Sequence, residues 1–170
     1  MKEVRENKEK REREKDLYDY VTKIIIIGES NVGKTNILSM YCKGEFNDSF
    51  KSTLGVEFSI KNIIVKDLNL RMQIWDTAGQ ERFRSVTNVF YKNSTGAFIV
   101  FDITRFSSFS AIDKWIKDLK DVAGEKICII LIGNKSDLEE HRAVSKEEAL
   151  NKASQYSKYK IKLKIQRLNI

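Results

Sequence analysis

The chain has 170 residues, 41% apolar and 32% charged, enough for one globular domain with a real core. No apolar run is long enough to span a bilayer, and residues 2–16 are almost all charged, which excludes a secretory apolar segment there. The net charge is +7, and residues 151–170 supply six of those charges through Lys152, Lys158, Lys160, Lys162, Lys164 and Arg167, with no acid among them.

Residues 1–17 nearly balance their charges and carry only Val4 and Leu17 as sizeable apolar residues. With no face to bury, they are expected to be a disordered charged extension, and residues 18–170 the folded domain. The first strand is expected at Tyr20–Ile27, ending on four consecutive isoleucines that read as fully buried. A loop follows, then a helix whose clearest helical residues are Asn36–Tyr41 and which ends near Lys43. Gly44–Thr53 is polar and glycine-opened, a loop. Val56–Val65 and Leu68–Trp75, separated by Lys66-Asp67, read as a β-hairpin.

Thr77–Lys92 is expected to be a loop running into an irregular helix. Ala97–Phe101 reads as a buried strand. Phe106–Val122 has helical spacing at Phe109, Ile112, Trp115, Ile116 and Leu119. Ile127–Ile132 is another buried strand, and Ser145–Ser157 a helix opened by a Ser145-x-x-Glu148 capping box. Strands alternating with helices give the fold class: α/β, a mainly parallel sheet with one antiparallel hairpin and helices on both faces. The chain has no proline, and Cys42 and Cys128 show no pairing pattern, so two thiols are expected.

Three motifs fall where strands end, the place where open α/β sheets hold ligands. Gly28-Glu29-Ser30-Asn31-Val32-Gly33-Lys34-Thr35 has the spacing G-x-x-x-x-G-K-[ST] of a phosphate-binding loop. Its glycines let backbone N–H groups curl around an anion, and the helix N-terminus adds its dipole. Gly28, Ser30, Asn31, Val32, Gly33, Lys34, Thr35 and Asn36 are the candidate contacts. Lys34 has the reach for the β- and γ-phosphates, and the Thr35 hydroxyl suits Mg²⁺. In Asp76-Thr77-Ala78-Gly79-Gln80 the acid ends a strand and suits Mg²⁺, while Gly79 leaves its N–H free for a γ-phosphate. In Asn134-Lys135-Ser136-Asp137 the Asp137 carboxylate can accept paired hydrogen bonds from a guanine, which an adenine does not offer. Asn134 suits the purine's other edge, and the Lys135 stem can lie over the ring. Each motif alone is also readable as an ordinary turn; the three in order are not.

Together these residues resemble the small GTPases, and within them the Rab family, from about Tyr20 to Tyr156. Leu54–Phe58, Met72–Phe83, Phe83–Thr87 and Val100–Thr104 are similar to Rab segments, and Phe90–Ser94 is a diverged form of another. Gly55–Phe58 is similar to the recycling-endosome and trans-Golgi branch. The resemblance implies a P-loop NTPase of small G-protein fold that binds GTP or GDP with Mg²⁺. It implies that Thr53 ligates Mg²⁺ and senses the γ-phosphate, that Phe46 packs against the base, and that Gln80 orients the attacking water beside Lys34 and Gly79. Phe58, Trp75 and Phe90 match the aromatic triad that Rab effectors read, and core packing is the competing explanation. Ser30 is common in Rabs; Asn31 is less usual and is expected to reshape the loop. No arginine stands where one would act in cis, so a GTPase-activating partner is expected to supply it, alongside an exchange factor.

After Ser157 the chain departs from the family pattern, with no Ser-Ala-Lys loop, no last helix and no terminal cysteine for prenylation. Residues 158–166 alternate lysine with Tyr159, Ile161, Leu163 and Ile165, which predicts a diverged basic edge strand within 158–170. Part of one sheet face is then expected to lack cover, at a cost in stability. The basic end is also read as a weak contact for anionic membrane, against a solvated strand face. No nucleic-acid partner is expected. The resulting expectation is a monomeric, cytoplasmic switch, peripheral on endomembranes, that hydrolyses GTP to GDP in vesicle transport. The alternative is a truncated, non-catalytic or poorly nucleotide-retaining Rab-like binding protein. A P-loop kinase is disfavoured by Asn134–Asp137 and by the lack of a lid.

Overall fold

The computed structural model describes residues 17–46, 56–77 and 89–156, and the backbone of 161–165. Six strands form one sheet: β1 (Tyr20–Ile27), β2 (Val56–Val65), β3 (Leu68–Thr77), β4 (Gly96–Asp102), β5 (Cys128–Asn134) and β6 (Ile161–Ile165). Their order across the sheet is β2-β3-β1-β4-β5-β6. Among the described residues only the β2–β3 pair is antiparallel. The hairpin turns on Lys66 and Asp67, both with positive φ, as a tight two-residue connection requires.

The isoleucine run of β1 lies at the centre of the sheet because both of its faces are covered. Ile25 and Ile27 join Ile99, Phe101, Ile129 and Leu131 on one face. Ile26 joins Val100 and Ile132 on the other. The first face is covered by α2 (Phe106–Ser110), α3 (Ile112–Ala123) and α4 (Lys146–Gln155); the second is covered by α1 (Lys34–Lys43). On that second face Phe98 and Ile130 remain half-buried. Helix α3 buries Ile112, Trp115, Ile116 and Leu119, a stripe at helical spacing. Helix α4 starts with both bonds of the capping box, Glu148 N–H to Ser145 Oγ at 3.1 Å and Ser145 N–H to Glu148 Oε2 at 2.8 Å. It is tied to α3 by Lys152 and Tyr156, which bond to Asp113 at 2.9 and 2.8 Å.

Several expected boundaries shift. The first helix starts at Lys34, directly after Gly33, because the loop itself turns into the helix. It stops at Gly44, whose left-handed backbone lets its N–H bond to Met40 O at 3.0 Å. Thr77 belongs to β3: its hydroxyl donates to Ile26 O, which extends the strand one residue past Asp76. The single helix expected over Phe106–Val122 is two segments meeting at Ala111. Ala111 stays right-handed, and Trp115 N–H still reaches its carbonyl at 3.2 Å, so the helical spacing carries across the break. The basic strand pairs in parallel with β5 at the sheet edge, Ile161 opposite Ile129 through Ile165 opposite Gly133. Of the segment expected to be a loop and irregular helix, residues 78–88 lie outside the described residues. Cys42 and Cys128 form no disulfide. Among the described residues no helix is long and apolar enough to cross a membrane.

Candidate functional site

The site is built at the carboxyl ends of β1, β3, β4 and β5, four neighbouring strands that all deliver polar residues to one edge. Gly28 leaves β1 with φ +138°, and a Cβ there would lie 2.2 Å from the Val100 carbonyl oxygen. Only glycine lets the loop pass that close to β4. Gly33 has φ +91°, and a Cβ would lie 2.3 Å from the Asn134 side-chain nitrogen. Asn31 also has positive φ, 62°. Asparagine is one of the few non-glycine residues that takes this conformation readily, so its presence at this position fits the loop's backbone.

Lys34 is buried, and its ammonium donates to Gly28 O at 2.9 Å and Glu29 O at 2.8 Å. Burial lowers its pKa to about 8, with Asp76 and Glu29 opposing the shift and Arg105 adding to it. Asp76 is fully buried at the end of β3. Its Oδ2 accepts from Thr35 Oγ1 at 2.5 Å, while its Oδ1 has no hydrogen-bond partner. Burial raises its pKa to about 6 against the Thr35 bond and the Lys34 charge; Glu57 adds to the rise. A buried carboxylate oxygen without a donor is costly unless a cation meets it. Among the described residues no group of three or more His, Cys, Asp or Glu could hold a metal alone. One carboxylate beside one hydroxyl fits Mg²⁺, which takes few protein ligands and completes its shell with water and phosphate oxygens.

Asn134 ends β5 and is buried. Its Nδ2 donates to Val32 O at 2.8 Å, and its Oδ1 has no partner. It therefore clamps the phosphate loop and leaves one acceptor available. Lys135 is left-handed, φ 65°, and its ammonium pairs with Asp102 at 2.7 Å. Burial alone would raise the Asp102 carboxyl; hydrogen bonds from Lys135 and Thr104 outweigh it and hold the carboxyl below its ordinary value. Asp137 sits exposed in the 3-10 turn Ser136–His141. Phe46 packs against the cluster of Ile26, Val32, Ile37, Val100 and Ile132. Thr53, Gly79 and Gln80 lie outside the described residues.

The expected triad is contiguous. Phe58 and Trp75 are cross-strand partners with ring centroids 4.8 Å apart, and Trp75 and Phe90 are 5.5 Å apart. Phe58 is 46% exposed. Phe90 also packs against the main core, so the rings serve packing and surface together.

Sequence reasoning missed Asp102, Arg105 and the Glu29–Trp115 pair. Arg105 Nη2 donates to Ser30 O at 2.5 Å, and Trp115 Nε1 donates to Glu29 Oε1 at 3.2 Å. Arg105 thus holds the loop's backbone. The usable signal was position: Asp102 is the last residue of β4 as Asp76 is the last but one of β3, and Arg105 follows three residues later.

The sequence model of the Ras family matches residues 23–162. The GTP-binding protein ypt3 of Schizosaccharomyces pombe is 49% identical over 136 residues, 80% of this chain and 64% of that protein. Ras-related protein Rab11B of Nicotiana tabacum is 49% identical over 137 residues, 81% of this chain and 63% of that protein. Ras-related protein rab-11.1 of Caenorhabditis elegans is 47% identical over 134 residues, 79% of this chain and 64% of that protein. The chain thus spans less than two thirds of the length of these relatives.

Proposed function

The chain belongs to the Ras family and, within it, to the Rab proteins, and from that premise we propose that it is a guanine-nucleotide switch. It binds GTP, hydrolyses it slowly to GDP, and acts in vesicle transport. The observation that carries this reading is the meeting of the loop 28–35, Asp76 and Asn134 at the carboxyl ends of the strands, through the Thr35–Asp76 and Asn134–Val32 hydrogen bonds, with orphaned buried oxygens on Asp76 and Asn134. A non-catalytic role is not favoured, because the phosphate, metal and base residues are all present together.

In this reading the loop's N–H groups and the α1 dipole hold the phosphates, and Lys34 turns from its loop carbonyls toward them. Thr35, Asp76 and Thr53 would hold Mg²⁺, which when bound neutralises charge on the phosphate oxygens. Asp137 selects guanine, Asn134 takes the purine's other edge, and Asp102 fixes the Lys135 side chain beside the ring. Gln80 orients water, and the Gly79 N–H meets the γ-phosphate. Its loss releases Thr53 and Gly79, so the two loops carrying them relax. Phe58, Trp75 and Phe90 face effectors, with exchange and GTPase-activating proteins setting the state. The basic strand gives weak contact with anionic endomembrane from the cytoplasmic side.

The test is nucleotide retention. The chain is purified with Mg²⁺, its bound nucleotide is identified, and its release into excess GTP is timed. Near-stoichiometric GDP or GTP with slow release supports the switch; an empty protein sinks it.

A further inference from the structure

Arg105 caps α2 just beyond the end of β4, with extended backbone, φ −129° and ψ 95°. Its Nη2 reaches Ser30 O at 2.5 Å, and its Nε is buried with no hydrogen-bond partner. Ten residues on, Trp115 bonds the neighbouring loop residue Glu29. The segment after β4 thus grips two consecutive residues of the phosphate loop.

The grip has a directional consequence. In a trans peptide the C=O and the following N–H point in opposite directions. Holding Ser30 O against the guanidinium therefore turns the Asn31 N–H away from Arg105 and resists a flip of that peptide. Asn31, next in line, is held left-handed, the alternation of backbone conformation that lets successive N–H groups converge on an anion. The guanidinium also brings a positive charge against the loop that holds Lys34. A hydrogen bond from a charged donor is shorter and stronger than a neutral one.

We propose that Arg105 is a positioning residue of the phosphate loop: it fixes the Ser30–Asn31 peptide for anion binding and adds a second cation to the loop that holds Lys34. The proposal rests on the guanine-nucleotide reading above for its ligand, but the loop-holding part stands on geometry alone.

The test uses the full chain with Arg105→Ala and Arg105→Gln, the second keeping a donor without the charge. Hydrogen exchange at residues 29–33 of the nucleotide-free chain reads the grip. Release of a fluorescent GDP, at low and high salt, reads its effect on the ligand. In Arg105→Ala, exchange at Asn31 rises and GDP leaves about tenfold faster, the scale of losing one charged hydrogen bond. Arg105→Gln recovers part of the exchange protection but shows a flatter salt dependence, which a purely structural contact would not produce. Unchanged exchange at 29–33 overturns the proposal. Faster exchange with unchanged release also overturns it, reducing Arg105 to a support of the fold. A wild-type chain that holds no GDP sinks the nucleotide reading instead, and the exchange result alone then decides the loop-holding role.

Discussion

Thr35 Oγ1 and Asp76 Oδ2 lie 2.5 Å apart, joining the first turn of α1 to the end of β3. The hydroxyl satisfies one carboxylate oxygen and leaves the other without a donor. Burial is the larger influence, so the Asp76 carboxyl titrates near pH 6, above its ordinary value of 3.8.

That shift fixes the sign of a pH effect. Between about pH 4 and pH 6 the folded chain holds more protons than the unfolded one, so ligand-free stability falls as pH rises through this window. Above it the cost of the buried charge is fully present. Mg²⁺ needs the charged form, so its affinity in the presence of GDP falls as pH drops through about 6. Without Mg²⁺ the wild-type thermal midpoint should fall relative to that of Asp76→Asn as pH rises across this range, since carboxyls held low, such as Asp102 and Asp113, act equally in both chains. A wild-type midpoint that rises toward neutral pH while the Asn variant behaves identically would show that Asp76 is not the titrating group.

Asn134 yields a second prediction. Its side-chain nitrogen bonds the buried Val32 carbonyl at 2.8 Å. Asn134→Ala leaves that carbonyl unpaired, a loss of about 1–3 kcal/mol. Asn134→Asp costs more, since it sets an acceptor against an acceptor. Urea unfolding should rank the three chains wild type, Ala, Asp in falling stability. Equal midpoints for wild type and Ala would mean that the Val32 carbonyl finds another donor.

The strands and the phosphate loop were legible because both depend on local signals: β-branched runs for β1, and fixed glycine spacing for residues 28–35. Tyr20–Ile27 and Val56–Val65 appear with their expected limits. What stayed hidden was tertiary. Asn134 reads as a base contact from its motif, yet its amide first closes on Val32, a hundred residues away in the chain. Arg105 has no motif, and only the β1–β4 pairing brings it to Ser30. The Lys135 stem was expected to cover a ring, while the fold also anchors its ammonium on Asp102. A side chain with two partners shows only the local one in sequence.

Gly33 tests the loop's conformation from another side. Alanine at φ +91° is strained, and its Cβ would press on the Asn134 amide, itself held by Val32. Gly33→Ala is expected to cost about 1–3 kcal/mol from the backbone alone, plus the displaced hydrogen bond. The double variant Gly33→Ala with Asn134→Ala should cost less than the sum of the two, because the clash disappears with the amide. Strict additivity in urea unfolding would show that the two residues do not meet.

The aromatic triad separates packing from recognition. Phe58 is 46% exposed and contacts Trp75 on one side, whereas Trp75 lies between two rings and has Lys23 over its face at 5.2 Å. Truncating Phe58 removes an edge contact worth about 0.5–1.5 kcal/mol. Truncating Trp75, half-buried between the two rings, removes both ring contacts and costs about 1–3 kcal/mol. If the surface serves effectors, Phe58→Ala weakens binding of a partner that selects the GTP-loaded chain by tenfold or more, a hot-spot loss of roughly 1.4 kcal/mol. Thermal midpoints set beside titration with that partner distinguish the two roles. A Phe58→Ala chain that binds as well as wild type leaves the ring with packing alone.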